Sequence, residues 1–175
     1  MASSAHDVRY WVWQRDDQLS ELELTELAAQ KVDTIYWQAG ELENIGETWR
    51  WKTRFSFPSS DAAQIRFVPV VRLVSREHQP FSNASIATLL TSLSSASAKH
   101  DELQLDYDAP DRLLADYAAA LKRIRALVPR LTIAALPRWS RADYQKLLEP
   151  NDDELLPMLY DFEAEPRLKD QSPLP

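Results

Sequence analysis

Asp106 and Asp108 are the residues whose type and spacing best suit chemistry in this chain. They close the run Glu102-Leu103-Gln104-Leu105-Asp106-Tyr107-Asp108-Ala109-Pro110, which alternates polar and apolar residues and then meets a strong helical pattern. On a strand Gln104, Asp106 and Asp108 share one face, and Leu103, Leu105 and Tyr107 the other. Two carboxylates at the C-terminal end of a strand can divide the work of glycoside hydrolysis, one as general acid and one as nucleophile or base. They can also hold a divalent cation through oxygen. A plainer reading of Asp108 is a helix cap, because Asp108-Ala109-Pro110-Asp111 resembles a helix start with proline in the first turn. Asp106 has no such local use, and a carboxylate pointing inward needs a partner.

The chain supplies candidate partners at the ends of other strand-like runs. Arg15 and Arg72 could pair with Asp106 or hold a substrate oxygen. Trp13, Trp37, Trp139 and Tyr160 could offer ring faces to a sugar, or simply fill core and rim. Gln38 and Glu41 end another strand, and Glu41 is either a second carboxylate or a solvated loop residue. The candidate set is thus Asp106 and Asp108 as catalytic residues, with Trp13, Arg15, Trp37, Gln38, Glu41, Arg72, Trp139 and Tyr160 binding substrate.

The remaining composition narrows the classes of function. The chain has 175 residues, 45% hydrophobic, which is room for one domain with a sizeable core. Its net charge of −7 argues against nucleic acid or an anionic membrane as main partner. There is no cysteine, and His6, His78 and His100 lie far apart, so neither a disulfide framework nor a metal site is expected. Gly40 and Gly46 are the only glycines, which excludes Walker and Rossmann loops; no cofactor is expected. The opening Met1-Ala2-Ser3-Ser4-Ala5-His6-Asp7 lacks the marks of a secretory signal, so the chain as given reads as cytoplasmic by default. No apolar run approaches the ~18 residues of a membrane span.

The elements that must position these residues alternate between two periods. Strands are expected at 9–15, 33–39, 65–74, 102–108, 131–136 and 155–161. Helices are expected from the capping box Ser20-Glu21-Leu22-Glu23, at 83–98, at 111–128 and at 140–148. Residues 43–64 break the rhythm: Trp49, Trp51, Phe55 and Phe57 alternate with Arg50, Lys52 and Arg54, predicting an extended insertion that replaces or precedes a short helix around Ser59–Gln64. Alternating strands and helices imply a parallel sheet, and the repeat length suits a (β/α) TIM-like barrel. Residues 9–162 would form that single domain, between a loose N-terminus (1–8) and a loose, charged and proline-containing tail (163–175).

Related carboxylate motifs fit less well. A haloacid-dehalogenase-type phosphatase wants Thr or Val where Pro110 stands, and the D-x-D-x-E of family eighteen chitinases has Pro110 in place of its glutamate. Tyr10-Trp11-Val12-Trp13-Gln14-Arg15, Val70-Val71-Arg72-Leu73, Leu103 to Pro110 with Arg112-Leu113-Leu114-Ala115-Asp116-Tyr117, and Ala134-Ala135-Leu136-Pro137-Arg138-Trp139 together resemble the bacterial family called domain of unknown function 3142. The resemblance runs from about Tyr10 to Tyr160, with Gln104 to Pro110 its most specific stretch. It implies a glycoside-hydrolase-like TIM barrel and names no substrate.

The leading expectation is therefore an α/β, glycoside-hydrolase-like barrel that acts on or binds a glycan through strand-end carboxylates. The alternatives are a non-catalytic carbohydrate-binding or scaffold barrel, and a metal-dependent transferase using the D-x-D pair. About six strands can be placed where a full barrel has eight. An incomplete barrel is expected, with unpaired edges that favour an oligomer or a partner completing it.

Overall fold

The computed structural model describes residues 8–58, 65–76, 78–147 and 154–157. Its strands are β1 (Val8–Val12), β2 (Val32–Ile45), β3 (Thr48–Arg54), β4 (Arg66–Ser75), β5 (Glu102–Asp106), β6 (Arg130–Ala135) and β7 (Glu154–Pro157). Its helices are α1 (Glu21–Ala29), α2 (Asn83–Ser97), α3 (Leu114–Ile124) and α4 (Arg141–Leu147). The strands form one sheet in the order β1-β2-β4-β5-β6-β7, with every neighbouring pair along that path parallel. β3 pairs antiparallel with the far half of β2.

Strand order that follows chain order has a geometric consequence. Parallel crossovers are right-handed, so each successive helix falls on the same face of the sheet. One face is then covered and the other is free to curl inward. The curl shows in contacts that a flat sheet forbids. Arg9 on edge strand β1 pairs with Glu154 on edge strand β7 at 2.7 Å, although five strand spacings would put them ~24 Å apart in a flat sheet. The Trp11 indole likewise donates to Gln104 Oε1 at 2.8 Å, across the two strands between β1 and β5. The six parallel strands form a curled half-barrel.

Period-two alternation sorts the side chains between its faces. On the convex, helix-covered face Leu103, Leu105, Tyr107, Leu131 and Ile133 pack with Leu89, Leu93, Leu114, Tyr117, Leu121 and Ile124 in one core cluster. A second cluster places Ile35 and Trp37 against Leu24 and Leu27 of α1. Glu102, Gln104 and Asp106 lie on the opposite, concave face, as their contacts with Tyr36, Trp11 and Arg72 show. The caps act as the sequence predicts at α1, where Ser20 and Glu23 form a reciprocal capping box.

Several boundaries differ from the sequence reading. β2 does not stop near Gly40 but continues to Ile45, because β3 folds back on it from a turn at Gly46 (φ 64°). The Trp49–Arg54 alternation is indeed a strand, and its buried Trp49 anchors α2 through an indole bond to Ser85 Oγ at 2.9 Å. Gly40 permits the fold-back: a Cβ there would lie 2.3 Å from the Thr53 carbonyl oxygen. The helix expected over 111–128 is broken into single 3-10 turns at Asp111–Leu113 and Arg125–Leu127 around α3. The expected loose N-terminus 1–8 is corrected at Val8, which opens β1 by pairing with β2; its residues 1–7, the helix expected around Ser59–Gln64, the tail at 163–175 and the end of the last expected strand at 158–161 lie outside the described residues. Among those described, no helix is long and apolar enough to cross a membrane.

Candidate functional site

The C-terminal ends of β2, β4 and β5 bring charged residues into one row. Arg72 stands in register with Glu41 on one side and with Asp106 on the other. Its guanidinium lies 3.7 Å from Asp106 Oδ2 through Nε and 3.9 Å from Asp108 Oδ2 through Nη2. Asp106 is buried and Asp108 is more than half exposed, so one cation sees one shielded and one solvated carboxylate. Asp108 caps no helix: neither the 3-10 turn at Asp111 nor α3 has a side-chain cap bond. The cap reading is thereby corrected, since the chain enters the helix through Pro110 and Leu113 instead. Glu41 is only 15% exposed and is held by Lys52 of β3.

Gln38 sits one step deeper, buried, where its Oε1 accepts the Gln14 backbone N–H at 2.9 Å. That bond ties the loop after β1 to the mouth and fixes Gln14 in its left-handed conformation (φ 53°). Below it Gln104 accepts from Trp11, and Trp11 stacks on Tyr36 with centroids 4.8 Å apart. The Gln104 amide nitrogen is buried with no hydrogen-bond partner among the described residues. Trp13 is partly exposed beyond the end of β1. Behind the aspartates the Tyr107 and Tyr117 rings meet edge to face at 5.1 Å, with both hydroxyls buried and without a hydrogen-bond partner among the described residues. Burial pushes the Tyr107 phenol up to about 12. It raises that of Tyr117 further, with the charge of Asp106 adding to the effect.

Other residues expected to bind substrate go elsewhere. Arg15 turns to its local acids, bonding Glu23 at 2.7 Å and Asp17 at 3.0 Å. Its hydrogen bond holds the Glu23 carboxyl down at about 2. Trp37 is fully buried on the helix-covered face, its indole N–H donating to Ser56 O at 2.9 Å. Trp139 is buried too and donates to the Ala109 carbonyl, which also accepts from Arg138. These three therefore brace the scaffold around the site: Trp139 and Arg138 fasten the segment just after Asp108. Tyr160 lies outside the described residues.

The strongest polar cluster was not anticipated. Glu102, at the opposite end of β5 and 5% exposed, accepts from Thr132 Oγ1 at 2.6 Å and Tyr36 Oη at 3.1 Å. Arg66 and Arg130 reach it at 2.5 and 3.1 Å. Burial alone would raise its pKa, but the Thr132 hydroxyl and the two guanidiniums outweigh that and hold it below the usual carboxylate range. Alternation carried the signal: Glu102 shares its face with Gln104 and Asp106, and arginines open the strands on both sides.

Chemically, the mouth offers a buried carboxylate, a second carboxylate in water, and a guanidinium able to orient either. Among the described residues no three His, Asp or Glu side chains gather as a metal site. The guanidinium also lies against both aspartates, where a divalent cation would have to sit. Compared with protein-family models, with curated proteins and with solved structures, the chain finds no match.

Proposed function

We propose that this chain is a glycoside-hydrolase-like TIM-barrel protein that acts on a glycan through Asp106, with Asp108 as the second carboxylate. One observation carries the reading: Asp106 at the C-terminal end of β5 and Asp108 just beyond it both lie within reach of the Arg72 guanidinium on the neighbouring parallel strand β4, toward the strand ends where β/α proteins gather their chemistry. The two carboxylates differ in setting, one shielded and one solvated beside the same guanidinium, as the two members of a glycosidase pair do. The solvated one suits the role of base or nucleophile. The family resemblance in the stretch from Gln104 to Pro110 points the same way.

A panel of aryl glycosides tests it, with Asp106→Asn and Asp108→Asn as the variants. Turnover by the parent chain and at least a ~100-fold loss in Asp106→Asn is the expected result, in line with the usual contribution of acid–base groups. No turnover, together with no binding on a glycan array, would remove the reading. A second reading is a barrel that binds a glycan without cleaving it. It is favoured by the burial of Trp37 and Trp139, which leaves Trp13 as the exposed ring among the three described. Glycan binding without turnover would select it.

A further inference from the structure

A cleft of about 590 Å³ opens at the N-terminal ends of β4, β5 and β6, the end opposite Asp106. Its volume falls in the range of small-molecule sites, ~300–1,000 Å³. Buried Glu102 forms part of the lining, with Arg66 and Arg130 converging on it. The triad by itself is a structural ion cluster; what it does not explain is the rest of the lining. Lys99 contributes an exposed ammonium with no ion-pair partner among the described residues. Arg130 commits one nitrogen to Glu102 and, at 53% side-chain exposure, keeps further donors for a ligand. The other wall is apolar: Phe57, Ile65 and Phe67, with His100 edge-on to Phe57 at 4.7 Å.

Charge decides what fits. Among the described residues of the lining, Arg66, Lys99 and Arg130 stand against Asp101 and Glu102, one positive charge in excess within a chain of net charge −7. Burial lowers the His100 pKa, which keeps that ring neutral near neutral pH and part of the apolar wall. One spare cation matches a monoanion. A dianion such as phosphate would meet the two carboxylates with no cation left for its second charge. A guanidinium pairs with a carboxylate in a planar fork, while an adjacent aromatic wall favours a ring-bearing body.

We propose that this cleft binds a small organic monocarboxylate with an aromatic body, its carboxylate on Lys99 and Arg130 and its ring against Phe57 and Phe67. The site does not depend on the glycan reading, and its test uses no glycan. Isothermal calorimetry on the whole chain uses phenylacetate as probe, against phenethyl alcohol and inorganic phosphate. Phenylacetate is expected to bind at one site per chain, at least about tenfold tighter than either comparator. Lys99→Glu is expected to weaken it by about tenfold or more, whereas Arg50→Glu, an equal charge change on exposed β3, leaves it unaltered. Lys99 and Arg50 are both exposed, and matching thermal unfolding curves confirm that each variant is folded. No binding of phenylacetate, equal binding of the alcohol, or equal losses in both variants would overturn the proposal.

Discussion

Glu102→Gln keeps the shape of the side chain and one acceptor oxygen, so it isolates the charge. The Thr132 and Tyr36 hydroxyls can still donate to the amide oxygen. Lost are the negative charge before two guanidiniums and the second acceptor; the new NH2 group is turned toward donors. Hydrogen bonds to charged groups contribute ~1.5–3 kcal/mol each, and exposed ion pairs only ~0.2–1 kcal/mol. Here the acid is buried while the Arg66 and Arg130 side chains are 41% and 53% exposed, so each contact belongs between those ranges. We expect a loss of about 3 kcal/mol, a large share of the ~5–15 kcal/mol typical of a domain. Urea unfolding near neutral pH measures it, with an unchanged m-value showing that the folded and unfolded states stay comparable. The sign of the pH dependence follows from the depressed folded pKa. The charge stabilises the fold fully above the unfolded value of ~4.3, and that contribution is lost as pH falls through the lower folded value. The gap between parent and variant should therefore close in acid. A neutral-pH loss below ~0.5 kcal/mol, or a gap that persists unchanged in acid, would refute the assignment of Glu102 as the centre of this cluster.

Three further outcomes are expected. Gly40→Ala should destabilise by ~2 kcal/mol or more in the same urea assay, because the new Cβ would lie 2.3 Å from a backbone oxygen and 2.8 Å from the Trp51 ring. Spectrophotometric titration should show Tyr36 and Tyr107 ionising near 12, with Tyr107→Phe removing one late phenol. Their raised values mean that stability is intact below the unfolded phenol range and declines as pH climbs through it. Edge strand β1 exposes Tyr10 and Trp11, and light scattering should detect concentration-dependent self-association that Tyr10→Lys reduces, as charge on an edge strand does.

The parallel sheet and its helices were legible because each obeys one period for long enough. Leu103, Leu105 and Tyr107 against Gln104 and Asp106 gave the faces of β5 directly. The second half of β2 was not legible: the strand was expected to end near Gly40 and Glu41, and pairing with β3 carries it on to Ile45. The candidate site was partly legible. Arg72 follows from its place at the end of a strand beside Asp106. Arg15 was misplaced because proximity in sequence to Asp17 and Glu23 outweighs a distant carboxylate. Trp37 and Gln38 could not both line one mouth, since neighbours on a strand point to opposite faces. Glu102 escaped notice because its importance lies in partners drawn from three other strands.

The sheet order also bears on how the molecule assembles. Each parallel strand pairs with the one before it along the sheet, so assembly can proceed by short loop closures from the middle outward. The Arg9–Glu154 pair is of another kind: it joins residues 145 apart in sequence and links strands that share no backbone bond. It must close last, and as an exposed pair it holds the rim only weakly. Amide hydrogen exchange should then be graded across the sheet, fast in β1 and β7 and slowest in β4 and β5. The molecule would breathe at the seam where its two edges meet, and the concave face would be reached through that seam without global unfolding.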